Sequence, residues 1–259
     1  MNRITELFNN KKDKDLLSIY FTAGYPELDS TLKIAEELEK AGADFLEIGF
    51  PYSDPLADGP VIQNSSQIAL KNGMTVEVLF KQLKDLRSRI TIPVFLMGYF
   101  NTVFQYGVER FCKACVDVGV DGVIVPDLPM YEYEELYADV FKENEISNIF
   151  LVTPQTTDER IRKIDSLSTG FIYLLSSSST TGQSLEVSDE RLDYFKRIKA
   201  LDLKNPIVIG FGISNHDNFK QAAGVADAAI IGSAFVKQLE GEGYLERIPQ
   251  FIRSIKEGN

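Results

Sequence analysis

The sequence holds a single histidine, His216, and two cysteines, Cys112 and Cys115. A classical zinc or iron site would have almost no ligands to draw on. The cysteines form a C-x-x-C, but Phe111 before them and Val116 after them place the pair inside a helical pattern, with both sulfurs on one face. A redox pair of this spacing instead opens a helix after a strand. Apolar runs of about 18 residues, the length a membrane helix needs, are absent. The start, Met1-Asn-Arg-Ile-Thr-Glu6, is too polar for a signal segment. The expectation is a soluble, cytoplasmic protein with no membrane partner. Positive charge is also scarce: 27 Lys and Arg stand against 38 Asp and Glu, a net −11 at pH 7. A nucleic-acid surface wants clustered Lys and Arg, so no nucleic-acid partner is expected. An anionic small molecule stays open, because backbone N–H groups can hold a phosphate without any lysine.

What is present is an alternation. Of the 259 residues, 44% are apolar, enough for a sizeable core. They fall into short runs at Leu16–Phe21, Phe45–Ile48, Pro93–Met97, Gly122–Val125, Ile149–Val152, Phe171–Leu175, Ile207–Ile209 and Ala228–Ile231. These runs are β-branched or aromatic and mostly do not alternate with polar residues, as strands covered on both faces should not. Amphipathic segments separate them. Leu32, Ala35, Leu38 and Ala41 form one face, begun by Asp29-Ser30 and ended by Gly42. Others run Thr75–Leu86, Val103–Val118, Tyr131–Phe141 and Ile161–Leu167, the last with Asp158 as N-cap. Leu192–Leu201, Phe219–Ala223, Phe235–Leu239 and Leu245–Ile255 complete the set. Eight strands each followed by a helix make an α/β fold of the (β/α)8 TIM-barrel type, and the length suits one such domain over residues 1–259. A doubly wound open sheet is the runner-up, but it should carry a glycine-rich crevice motif near its first strand, and Gly24 alone is not one. A short helix at residues 3–9 precedes the first strand and would plug the closed end of the barrel.

Two features stand out at strand ends. Phe45 to Ile48 carries Glu47, a carboxylate where a buried strand should hold an aliphatic residue. Such a group is expensive unless paired or used. The chain then enters a loop stiffened by Pro51, Pro55 and Pro60, with Asp54 and Asp58 in it. Each residue alone could be a backbone-bound strand end or a turn former. A rigid acidic loop after a barrel strand is nevertheless where such folds place chemistry. At the other feature, Gly210-Phe-Gly212-Ile-Ser214 and Gly232-Ser233 follow the last two strands. Barrels commonly bind phosphate there, where glycine lets N–H groups approach an anion. A third stretch, Ser176 to Ser184, is small and polar, directly follows a strand, and suits either a linker or a lid that excludes water. The loops after strands 2 and 6 are thus the extended ones.

The stretch Glu47-Ile-Gly-Phe-Pro-Tyr-Ser-Asp54-Pro-Leu-Ala-Asp58-Gly-Pro60 closely resembles the signature of the tryptophan synthase alpha chain family, which reads E-[LI]-G-x-P-[FY]-S-D-P-x-A-D-G-P. Phe21-Thr-Ala-Gly-Tyr-Pro26, Val125-Pro-Asp-Leu-Pro129, Thr181-Gly182, Gly210-Phe-Gly-Ile-Ser214 and Gly232-Ser-Ala234 extend the resemblance over nearly the whole chain. It implies a retro-aldol cleavage of indole-3-glycerol phosphate to indole and glyceraldehyde 3-phosphate. By resemblance Glu47 is the general acid/base and Asp58 holds the indole N–H. Tyr20, Met97 and Tyr173 would line the indole pocket, Gly182, Gly212, Gly232 and Ser233 would contact phosphate, and Thr181 would also belong to the substrate site. The family carries no cofactor in this chain. Its partner is a beta chain that uses pyridoxal phosphate, in an alpha-beta-beta-alpha complex, and the loop of Pro51 and Asp54 and the segment Val125–Pro129 would lie near it.

The residues suit that chemistry. Cleavage needs a proton on the indole carbon and a base for a glycerol hydroxyl, and one carboxyl can serve both in turn. Charge developing on the ring nitrogen needs a fixed anion. A Schiff-base aldolase would need a lysine inside a strand, and the eight runs hold none. One departure concerns the lid: the family usually has Arg-x-Gly before Thr-Gly, where this chain has Ser177, Ser178 and Ser179. Slower or different lid closure is expected. A stand-alone indole-releasing lyase, a ligand-binding regulatory subunit and another phosphate-binding barrel are the alternatives.

Overall fold

The computed structural model describes residues 3–10, 15–175, 189–210 and 212–258. Eight parallel strands, β1 Leu16–Thr22, β2 Phe45–Gly49, β3 Val94–Met97, β4 Gly122–Ile124, β5 Ser147–Val152, β6 Ile172–Leu175, β7 Ile207–Gly210 and β8 Ala228–Ile231, pair in sequence order. Pairing of β1 with β8, Leu16 opposite Ala228, closes them into a barrel. The open-sheet alternative is thereby excluded, and every expected strand is present within two residues of its expected bounds.

Side chains alternate across each strand. Leu46 and Ile48 of β2 face outward to the helices, while Phe45 and Glu47 face the barrel interior. The lower interior is aromatic. Phe45, Phe95 and Phe171 meet with ring centroids 5.1 to 6.0 Å apart. Below them the helix Arg3–Asn9 inserts buried Ile4, with Phe8 6.3 Å from the Phe45 ring. This helix is the expected plug. Arg3 ties it down, donating to Asp121 at 2.9 Å.

Several helix ends differ from the sequence-based expectation. Ser30 precedes helix Thr31–Ala41 but makes no side-chain cap; its hydroxyl donates back to the Tyr25 and Glu27 carbonyls. Helix Asp158–Leu167 is capped not by Asp158 but by Thr157, whose oxygen accepts from the Arg160 N–H. The segment expected as Val103–Val118 is two helices, Phe100–Tyr106 and Val108–Val118, broken at Gly107 with φ +92°, a conformation glycine adopts without strain. The helix Pro60–Lys71 was not expected. Its inner face is Ile62, Ser65, Ser66 and Ala69, two of them serines, so the apolar periodicity that announces a helix is weak there. Pro60 at its first position is the residual signal. Cys112 and Cys115 are buried and free in helix Val108–Val118, where burial pushes the Cys112 thiol up to about 12. That fits packing rather than thiolate chemistry. Among the described residues no helix is long and apolar enough to cross a membrane.

Candidate active site

The carboxyl ends of the strands open on a cavity of about 470 Å3. Tyr20, Phe50, Met97, Leu151 and Leu175 supply its apolar wall, and Tyr52, Asp58 and Tyr99 one rim. Beneath this wall lies Glu47, with no solvent exposure. The register explains its company: Glu47 is opposite Tyr20 on β1 and Phe95 on β3. Its Oε1 accepts from the Ser18 hydroxyl at 3.5 Å, and its Oε2 is buried with no hydrogen-bond partner among the described residues. Burial raises its pKa from the ordinary carboxylate range to about 8, so the group holds its proton at neutral pH.

Room for the wall comes from a missing side chain. A Cβ on Gly49, at the end of β2, would lie 2.2 Å from the Tyr20 hydroxyl oxygen and 2.6 Å from the adjoining ring carbon. The Tyr20 ring therefore lies across Gly49. The Tyr173 ring lies over Gly210 in the same way, at 2.1 Å from such a Cβ. Burial drives the Tyr20 and Tyr173 hydroxyls far above the ordinary phenol range, so both stay protonated.

Asp58 is held from both sides. Its N–H donates to the Pro55 carbonyl at 3.0 Å, and its own carbonyl accepts from Gln63 Nε2 at 2.9 Å. The Tyr99 hydroxyl accepts from the Ala57 N–H at 3.1 Å and donates to Asp58 Oδ2 at 3.5 Å. Tyr99 is itself stacked on Tyr52, ring centroids 4.9 Å apart. Burial raises Asp58 to about 6, with the Tyr99 hydrogen bond opposing the shift. The two acids are thus separated: one is protonated and the other ionised near pH 7, the arrangement that divides acid from anion roles.

A family model described as "Tryptophan synthase alpha chain" matches residues 7–256. The tryptophan synthase alpha chain of Flavobacterium psychrophilum is 53% identical over 98% of this chain and 100% of its own. The chain belongs to the tryptophan synthase alpha chain family. Among solved structures, tryptophan synthase from Mycobacterium tuberculosis superposes with TM-score 0.89 at 30% identity, over 99% of this chain and 98% of that one. A tryptophan synthase complex from Pyrococcus furiosus gives TM-score 0.85 at 34% identity, over 93% and 97%.

The structure brings only some of the expected alpha-chain site residues to the cavity. Tyr20, Met97 and Asp58 line it; Glu47 and Tyr173 do not, being sealed in the layer below. Gly212, Gly232 and Ser233 stand at the ends of β7 and β8, outside the cavity wall. Gly232 neighbours Tyr20, whose ring carbon Cδ1 would be 3.5 Å from a Cβ there. Thr181, Gly182 and the serine stretch lie outside the described residues. Sequence reasoning missed Tyr52, Tyr99, Thr156 and Arg160, all on the cavity wall. Tyr99 is the second residue after β3 and was findable by that position alone; Arg160 sits inside a helix and gave no signal. Among the described residues no group of three or more His, Cys, Asp or Glu could hold a metal ion.

Proposed function

We propose that this chain cleaves indole-3-glycerol phosphate to indole and glyceraldehyde 3-phosphate, with Glu47 as the acid and base and Asp58 as the fixed anion. The observation that carries this reading is the buried Glu47 carboxyl, with one oxygen unpartnered among the described residues, beneath a wall whose rim holds Asp58. A protonated Glu47 gives its proton to the indole carbon bearing the glycerol chain. Asp58 accepts a hydrogen bond from the ring N–H and balances the positive charge that forms. The Glu47 carboxylate then takes the proton of the glycerol hydroxyl. The carbon–carbon bond breaks, its electrons return to the ring, and an aldehyde forms on the other fragment. Glu47 ends protonated, as it began. Tyr20 and Met97 support the ring, Tyr173 packs below them, and the N–H groups around Gly182, Gly212, Gly232 and Ser233, with Thr181 beside them, are proposed to hold the phosphate.

The same reading includes a beta-chain partner, which would bring pyridoxal phosphate, while this chain acts as one barrel with no cofactor of its own. The Pyrococcus furiosus relative is a tryptophan synthase complex. Exposed apolar residues also support the partner: Leu56 in the acidic loop is 85% exposed, and Phe104, Tyr131 and Leu136 are exposed on the helices after β3 and β4. Large exposed apolar side chains on these successive loops and helices are what a partner surface would cover. The test is indole release from indole-3-glycerol phosphate, by the chain alone and with a cognate beta chain. Slow release alone, activation by the partner and loss in Glu47→Gln support the reading. Absence of release in both settings overturns it.

A further inference from the structure

Arg160 is the feature of this cavity that the proposed reaction leaves unused. Among the described residues that line the cavity it is the single cation, facing a wall whose other charged member is Asp58. It stands in the first turn of helix Asp158–Leu167, its N–H bonded to the Thr157 side chain at 3.3 Å. The loop beneath is firmly built. The Thr153 N–H donates to Thr156 Oγ1 and the Thr156 N–H to the Thr153 carbonyl, both at 3.0 Å. Arg197 pins the same loop by donating to the Pro154 and Thr156 carbonyls at 3.2 and 3.0 Å. Arg197 also lies 3.6 Å from the carboxylate of Asp158, two positions before Arg160, so that nearby acid already has a cation. Arg160 itself forms no ion pair among the described residues.

A guanidinium that lines a cavity and has no ion pair among the described residues, on a chain of net charge −11, attracts an incoming anion. Its planar fork of donors also suits the oxygens of a phosphate. We infer that Arg160 is a specificity-determining residue that favours the phosphorylated substrate over neutral ring compounds by attracting its phosphate during entry. This rests on the proposed function. Arg160 touches no reacting atom in this scheme. It acts through space, so its effect follows its charge and is screened by salt.

The experiment is a charge series, Arg160→Lys, Arg160→Gln and Arg160→Glu, in the full chain. Steady-state indole release from indole-3-glycerol phosphate is measured at low and high ionic strength, and indole binding is measured in parallel. The expected KM rises roughly three- to fivefold in Arg160→Gln, by about the square of that in Arg160→Glu, and hardly at all in Arg160→Lys. The expected kcat stays within about twofold, the KM differences shrink at high salt, and indole binds all four proteins alike. Because Arg160 is exposed, the variants should fold. A KM that ignores the charge series, or indole binding that weakens in step with KM, overturns the inference. If the unsubstituted chain releases no indole with or without the beta chain, the proposed function fails instead.

Discussion

Two buried carboxylates, at opposite ends of the barrel, show what the fold does with charge. Asp121, just before β4 at the plugged end, is 7% exposed and fully engaged. It accepts from Arg3 at 2.9 Å, from Arg87 at 2.6 Å and from the Val94 N–H at 2.8 Å. Glu47, at the other end, is more deeply buried and, among the described residues, accepts a single long hydrogen bond from Ser18. Burial costs a charge the same way at both ends. At the plugged end that cost is offset by two cations, and the group holds the N-terminal helix to the sheet. At the open end it is left standing, and the group holds a proton instead. One carboxylate organises structure; the other is a store of acidity.

The sharpest way to break this comparison is to replace each carboxylate. Glu47→Gln should lower indole release by at least about 10²-fold, the scale of a general acid–base contribution. It should also change stability with a sign opposite to most substitutions. The folded chain holds the Glu47 proton up to about pH 8, whereas an ordinary unfolded glutamate releases it near 4.5. The folded state therefore binds the extra proton between those values, and stability is fullest below the lower one and falls as pH rises toward the upper one. Glu47→Gln lacks this liability. Denaturant unfolding of both proteins at about pH 5 and pH 8 should show the variant gaining on the parent as pH rises. Parallel pH dependences would mean that Glu47 is not held protonated. Asp121→Ala should do the reverse, costing about 3 kcal/mol or more by leaving Arg87 half-buried without its carboxylate, with Glu47 and Asp58 untouched. Chemical denaturation gives the loss, and a change below about 1 kcal/mol would show that the two ends are not opposites.

A middle-sized effect tests how the open end is shaped. Gly49→Ala puts a methyl group into the Tyr20 ring and should cost about 1–3 kcal/mol. In a Tyr20→Leu background the same substitution should cost distinctly less, because the two residues share one space. Additive losses in the double-mutant cycle would show that Gly49 is not there to admit the ring.

The contrast between the two ends also explains which parts of the molecule are legible in the amino-acid sequence. The strands are legible because runs such as Phe45–Ile48 and Ala228–Ile231 are short, apolar and bounded by turn residues. Glu47 is legible because it violates that pattern, and Asp58 because a proline-stiffened loop carries it. Asp121 and Arg87 are not, since an ion pair between separate units leaves no spacing in the sequence to find. Helix Pro60–Lys71 is hidden by Ser65 and Ser66 on its buried face, where the Ser65 hydroxyl meets that of Thr22 at 2.7 Å rather than packing as a methyl group would. Arg160 is hidden for a different reason: the role proposed for it depends on which strand neighbours which, and on the ionic partners taken by Asp158 and Arg197.

The smallest expected effect lies in the pH profile and sharpens the division between the two acids of the open end. With Asp58 ionising at about 6 and Glu47 at about 8, kcat/KM should be bell-shaped, needing Asp58 charged and Glu47 protonated. Tyr99 donates to Asp58 at 3.5 Å and so favours the charged form. Tyr99→Phe removes that donor while keeping the ring stacked on Tyr52. The Asp58 pKa should rise, moving the acid limb to higher pH by a few tenths of a unit, since so long a hydrogen bond is weak. The alkaline limb, set by Glu47 in the layer beneath, should not move. A shift of the alkaline limb alone would reverse the assignment, making Asp58 the acid and Glu47 the anion.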